Sequence, residues 1–569
     1  MTIRMPAPLP LLDDAITATL RDERARLLAE AGLDLPVDHF RRPAEHQFTR
    51  AERGQVTVWF GGLTLRHEQL ILAGFEGLGY KAGIIPTPAK PDFQAGKEFG
   101  NNGQCNPTYF TVGALVNHLR RLRDEQGIPL ETILRDHVFL TAGACGPCRF
   151  GMYEAEYRLA LRNAGFDGFR VLLFQQGGGL EQAAVEAGLE LNLNFFITLL
   201  NGFLLGDLLN EVAYAIRPYE THAGETDRVL ARCVVRCAKA VREKDYDTIH
   251  DGALAAMLAT VTPVSGAVAA ATFLDQLRGT HYTEALHDCR AMLDAIEVDY
   301  LRPRPVCKVT GEFWAQTTEG DGNFRMFAFL EGEGAEVLVE PVATWIAYML
   351  NQARTKASDR RALDTSSLRA RVSGEVAYRK KLYSLGLAER ILTREYDRFR
   401  EALGGTVHAL VNQLELTRIG HPYYNSRAGG GEGHLEVAKN IYYSNKDLCH
   451  MVLSLKPFGC MPSTQSDGAQ AAVTSHFKDM IYIPIETSGE GDVNAHSRVQ
   501  MALGEAKGKC KEEFRESVAR TGRTLDELRA YVVERPALRR ALQRVPQAPG
   551  VVGRAANFAL HVAGQMVRT

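Results

Sequence analysis

Cys145-Gly146-Pro147-Cys148 follows the apolar run Val138 to Ala142 and is followed at once by Arg149-Phe150-Gly151-Met152-Tyr153. Two thiols three positions apart can reach one ion or cluster, and the Gly and Pro between them fix a tight turn whose backbone N–H groups can point at sulfur. A zinc knuckle, a dithiol redox couple and an iron–sulfur cluster all use this spacing, so the pair alone leaves the chemistry open. Cys105 and Cys460 sit in similar surroundings, Gly103-Gln104-Cys105-Asn106-Pro107 and Phe458-Gly459-Cys460-Met461-Pro462. Both contexts predict a turn leading into a helix, where the dipole end favours a thiolate over a thiol.

The remaining residue types that could do chemistry are more scattered. Cys233 and Cys237 are spaced to share one helix face, but that face is otherwise apolar and predicts core packing. Cys449 stands at a strand's start beside His450, and Cys289, Cys307 and Cys510 have no turn around them. Gln175-Gln176-Gly177-Gly178-Gly179 and Gly429-Gly430-Gly431-Glu432-Gly433-His434 offer backbone N–H groups to phosphate or sulfide, with flexible connection as the plainer account of the first. Glu312, Glu432, His434, Asp492 and His496 are proton-transfer candidates without a partner that sequence can assign, and a structural role is the simpler expectation for each.

The elements that must position these residues come from the pattern of the 569-residue chain, which is long enough for two or three domains. Residues 1–54 read as a polar N-terminal arm. Residues 55–200 alternate short β-branched or aromatic runs with helical stretches, and 305–515 resume that alternation around a charged helical insert at 353–425. Between them 201–304 is helical, and 516–569 is a helical tail with Arg554, Asn557, His561, Gln565 and Arg568 on one stripe. The expectation is an α/β protein: two doubly wound, mostly parallel sheet domains, a helical subdomain and a C-terminal helical tail that packs on the body or on a second subunit. Arg379-Lys380-Lys381 in the insert predict a solvated face, or a lid or interface.

Composition narrows the function. A formal net charge of −2 leaves no basic excess for phosphates, so nucleic acid is not an expected partner. No apolar leader follows Met1-Thr2-Ile3-Arg4 and no run approaches ~18 uninterrupted apolar residues, which predicts a cytoplasmic chain without a membrane span. Ten irregularly spaced cysteines are too sparse for a disulfide scaffold and fit reduced thiols, a few of them ligands.

Lys97 to Pro107, Ala144-Cys145-Gly146-Pro147-Cys148-Arg149-Phe150-Gly151, Val309-Thr310-Gly311-Glu312 and Lys456 to Pro462 occur in that order. Together they resemble the iron–sulfur proteins of the 2-hydroxyacyl-CoA dehydratase superfamily, in the branch of CoA-substrate-specific enzyme activase-related proteins near the double-cubane cluster proteins. The resemblance spans about 55–200 and 305–515 and is strongest at the cysteine turns. It implies an oxygen-sensitive [4Fe–4S] cluster between two α/β domains, with Cys105, Cys145, Cys148 and Cys460 as its ligands. A double-cubane cluster would recruit further thiols from Cys233, Cys237, Cys289, Cys307, Cys449 and Cys510. It also implies low-potential electrons delivered by an ATP-hydrolysing activase to a small-molecule substrate such as an acyl-CoA. The chain would then be a dehydratase-like lyase or an ATP-dependent reductase component, alone or in a homo- or hetero-oligomer. Gly504 to Cys510 only loosely mimics a phosphate-binding loop and ends in Cys where a magnesium-binding hydroxyl belongs, so the activase is expected to be a separate chain. The rival readings are a non-catalytic electron-relay or cluster-carrier subunit and a structural zinc protein.

Overall fold

The β-branched and aromatic runs become strands because such side chains pack well on a pleated surface, and the long helical connections between them suit parallel pairing. In this computed structural model, which describes residues 14–31, 47–143, 148–175, 188–258, 264–361 and 368–567, eight strands form. They are β1 (Thr57–Phe60), β2 (Lys81–Ile84), β3 (His137–Gly143), β4 (Arg170–Gln175), β5 (Val306–Gly311), β6 (Glu336–Leu338), β7 (Met451–Pro457) and β8 (Tyr482–Thr487). Two four-stranded sheets result, in the orders β2-β1-β3-β4 and β6-β5-β7-β8, and every strand pair is parallel. The protein is therefore α/β, with two all-parallel sheets and a large helical part.

Both sheets are covered on both faces, which is why their strands read as nearly continuous apolar runs. In the second sheet Cys307, Val309, Met451, Leu453 and Leu455 point into one core while Val306, Leu338 and Val452 point into another. The first sheet divides in the same way, with Phe139 and Val171 on one side and Val58, Val138 and Leu172 on the other. Successive side chains of a strand alternate between faces, so one residue of slippage would exchange the two sets.

The two sheets share one winding, and the first strand of each lies between the second and the third. The loops leaving β1 and β3, and those leaving β5 and β7, therefore flank the points where the winding reverses. Ligands of open parallel sheets bind at such points. Helix packing brings a further element there. In helices Lys90–Phe99 and Asn106–Arg120, a Cβ at Gly96 would stand 1.9 Å from the Tyr109 carbonyl oxygen, and one at Gly113 would stand 1.7 Å from that of Asp92. Only glycine permits this approach, and it seats the amino end of Asn106–Arg120, with Cys105 before it, in the first sheet's layer.

The helical region gathers its own core from distant stretches: Leu204 to Val212, Cys233, Cys237, Cys289, Tyr396, Phe399 and Phe558. The tail helix Arg554–Met566 belongs to it. Arg554 of the tail stripe is not solvated; it pairs with Glu336 at 2.8 Å and lies over the Tyr219 and Tyr300 rings. Asn557 of the same stripe is buried and bonds the carbonyls of Val551 and Gly553. The segment Leu193–Tyr219 is long and apolar enough to cross a membrane, with mean hydropathy 1.4, yet 78% of its most apolar window is buried inside the protein. In the long helix Leu368–Leu403, Arg379, Lys380 and Lys381 are exposed, and Arg379 pairs with Glu375 on its own helix at 2.9 Å. These basic residues form a solvated face.

Residues 1–45 form a separate unit from 46–569. Its helix Asp14–Glu30 is exposed, and Arg26 bridges to Glu30 one turn on at 2.9 Å.

Candidate metal centre

Three predicted cysteines cap helical turns. Cys105 is the N-cap of Asn106–Arg120, Cys460 that of Met461–His476, and Cys148 that of the short turn Arg149–Met152. Pro107 and Pro462 hold the second helical position after Cys105 and Cys460, where a missing N–H costs nothing because the first-turn donors have no intrahelical partner. Cys148 and Cys460 lie beyond the carboxyl ends of β3 and β7, equivalent strands of the two sheets. Cys145 and residues 176–179 of the first Gly-rich loop lie outside the described residues.

Backbone contacts bring these turns together. The Asn106 amide donates to the Phe458 carbonyl at 3.0 Å, tying the Cys105 turn to the Cys460 turn. Gly459 permits this: its φ is +76°, and a Cβ there would meet the Gln104 carbonyl at 3.1 Å and the Cys105 Cα at 3.3 Å. Gly431 faces the Cys460 and Cys148 turns, since a Cβ on it would lie 2.5 Å from Pro462 Cγ and 3.7 Å from Cys148 Cβ. Arg149 reaches the Gly103 carbonyl and so links the Cys148 and Cys105 turns. Of the two Gly-rich loops, 429–433 thus belongs to this site.

Two carboxylates complete it. Glu312 leaves β5, N-caps Phe313–Thr317 and accepts the Ala315 amide at 2.9 Å. Glu432 precedes helix Gly433–Asn445 and accepts the Phe313 amide at 2.8 Å. Burial, and then the charge of Glu432, push Glu312 up to about 8, and burial likewise raises Glu432. The three thiols move the same way. Burial and the two glutamates push Cys148 up to about 12 and also raise Cys460, while Cys105 is raised by burial and more weakly by Glu312. Burial thus pushes these thiols toward the protonated form, opposite in direction to the helix-end effect that the sequence predicts. All three thiols and both carboxyls are held toward their protonated forms, and a cationic group bound by the sulfurs would displace the thiol protons.

The other sulfurs lie elsewhere. Cys233, Cys237 and Cys289 are fully buried in the helical core, with Cys237 Sγ and Cys289 Sγ 3.6 Å apart. Cys307 and Cys449 sit at the amino-terminal side of β5 and β7, away from the cysteine turns. Cys510 is buried within the helix Asp492–Arg520. His496 bonds the Phe324 carbonyl at 2.8 Å and stacks on Phe329, and Asp492 pairs with Lys90, so neither faces the cysteines. His434 is buried, and desolvation lowers it to about 4, so it stays neutral.

Sequence reasoning missed several residues that hold the site. The buried Glu156 carboxylate accepts from the Asn101 side chain at 2.8 Å and the Gln104 side chain at 2.9 Å, shaping the loop before Cys105. Tyr153 and Thr108 place their hydroxyls on Cys105 Sγ, at 3.2 and 3.1 Å. A signal for part of this stands in the chain: Cys105-Asn106-Pro107-Thr108 and Cys460-Met461-Pro462-Ser463 share a pattern with a hydroxyl three residues after each cysteine.

Among the described residues no three His, Cys, Asp or Glu side chains are arranged to hold a single metal ion. A cube of four irons has its corners spread apart, so its thiolates need not converge on one point as the ligands of one ion must. No protein-family model, curated protein or solved structure matches this chain.

Proposed function

We propose that this chain is a cytoplasmic iron–sulfur protein. It accepts low-potential electrons from a separate ATP-hydrolysing activase and delivers them to a small molecule, an acyl-CoA being the class implied by its sequence resemblance. The observation that carries the reading is the meeting of three cysteine turns from both sheets, the Cys105 turn against the Cys460 turn at Gly459 and the Cys148 turn against the Cys460 turn at Gly431, with two buried glutamates acting on their sulfurs. Cys105, Cys148 and Cys460, with Cys145 completing the set, would hold a [4Fe–4S] cluster. When bound, such a cluster takes up and releases single electrons at low potential.

The chain's own groups then have defined tasks. The cysteine turns exclude water, since Cys105 and Cys460 are each only 6% exposed. Burial, with the charge of Glu432 second, raises the Glu312 carboxyl to about 8, which suits it to supply a proton to a bound substrate. Glu432, fixed by the Phe313 amide, adds to the effect of burial on Glu312 to the extent that it is ionised.

The test is a coupled anaerobic assay. Purified chain alone should hydrolyse ATP only at background, and adding an activase from the same organism with MgATP should produce the EPR signal of a reduced cluster. ATPase activity intrinsic to the isolated chain would overturn the two-chain arrangement. A reduced cluster that never turns over any acyl-CoA offered would identify an electron relay instead.

A further inference from the structure

We propose that the Tyr153 and Thr108 hydroxyls set the reduction potential of the metal centre by donating hydrogen bonds to the Cys105 sulfur. This rests on the cluster reading above. Thr108 Oγ1 lies 3.1 Å and the Tyr153 hydroxyl 3.2 Å from Cys105 Sγ, and all three residues are buried. A neutral thiol can donate to one of these hydroxyls and accept only weakly from the other. A thiolate ligand is a strong acceptor and satisfies both.

Their positions make the arrangement specific. Thr108 is the third residue of the helix that Cys105 caps, and its amide also donates to the Cys105 carbonyl at 3.0 Å. Tyr153 opens the helix Tyr153–Asn163, directly after the turn that Cys148 caps, so its hydroxyl spans from one cysteine turn to the other. Its ring is held edge-on against Phe150 at 5.1 Å. Ser463 gives Cys460 one hydroxyl at the same offset, so Cys105 differs by the added phenol. Donors aimed at a ligand sulfur favour the more negative, reduced state and raise its potential. These are positioning residues, because they act through the cysteine and not on a substrate.

Tyr153→Phe and Thr108→Val each remove one donor while keeping most of the shape. The experiment is an anaerobic EPR-monitored redox titration of the reconstituted full-length protein and these variants, with iron counted in parallel. Each variant should keep its iron and shift its midpoint to more negative potential, the double variant further, so that several-fold less cluster is reduced at a fixed ambient potential. Tyr157→Phe, one helical turn on and away from the cysteines, should not shift. An unchanged midpoint in an iron-loaded Tyr153→Phe overturns the proposal, as does loss of iron from a folded Tyr153→Phe, which would make the hydroxyl a retainer of the ligand. If Tyr153→Phe fails to fold, Thr108→Val decides by the same readout. Wild-type protein that takes up no iron overturns the cluster reading itself, and this proposal with it.

Discussion

Replacing Cys105, Cys148 or Cys460 by alanine should remove most of the iron from anaerobically prepared protein while leaving its circular dichroism and cooperative unfolding in place. Each cysteine caps a turn whose neighbours already hold it by backbone bonds, such as Asn106 to Phe458, so the turns survive the loss of sulfur. Of the three, only Cys105 belongs to a core flanking the sheets, and there it is one small side chain among many. A cluster bound mainly through thiolates cannot lose a ligand so cheaply. Cys237→Ala and Cys289→Ala, in the helical core, should leave iron unchanged. Full iron in Cys460→Ala would take the second sheet out of the ligand set and leave a site confined to the first.

Lys308→Met should destabilise the native state by about 3–5 kcal/mol, the usual consequence of leaving one member of a buried ion pair alone. Lys308 is fully buried on β5, and its Nζ lies 2.8 Å from the buried Glu340 carboxylate. Thr344 and Tyr443 also donate to that carboxylate, at 2.9 and 3.1 Å. Burial alone would push Glu340 up, but Lys308 and then Lys439 outweigh it and hold the carboxyl at about 2. Its folded value lies below the unfolded one, so the pair contributes stability above the ordinary carboxylate range and loses it as pH falls toward about 2. In the variant Lys439 is the remaining counter-charge, so burial raises the Glu340 carboxyl above its wild-type position and less stability is gained as pH rises. The gap between wild type and variant in urea unfolding should be widest near neutrality and narrow on acidification. Lys308→Met combined with Glu340→Leu should not recover the loss in full, because it also removes the leading counter-charge of the buried Lys439. A gap that did not change with pH would place the cost in packing instead.

The strands were legible because their signals are local. Val56 to Phe60, His137 to Ala142, Val306 to Thr310 and His450 to Leu455 each carry a β-branched or aromatic run bounded by polar or glycine residues, and each proved a strand within a residue or two. The turn character of Cys105, Cys148 and Cys460 was legible for the same reason, since Gly and Pro act on their own neighbours. What could not be read is what the sheets bring together. Nothing in the sequence ties Glu156 to Gln104, or the Tyr153 hydroxyl to Cys105, because those contacts exist only once Lys90–Phe99 packs on Asn106–Arg120 through bare glycine. The partners of the tail stripe were not legible either. Arg554 and Asn557 are polar by type, yet Arg554 pairs with the buried Glu336 and the Asn557 side chain donates to the Val551 and Gly553 carbonyls.

The central claim is that the cysteines of both sheets hold one iron–sulfur cluster. Purifying the full-length protein under strict anaerobiosis and counting iron, acid-labile sulfide and zinc per chain tests it most directly. About four irons and as many sulfides, with zinc near zero, is the expected result. Stoichiometric zinc without sulfide, in a colourless protein, would contradict it.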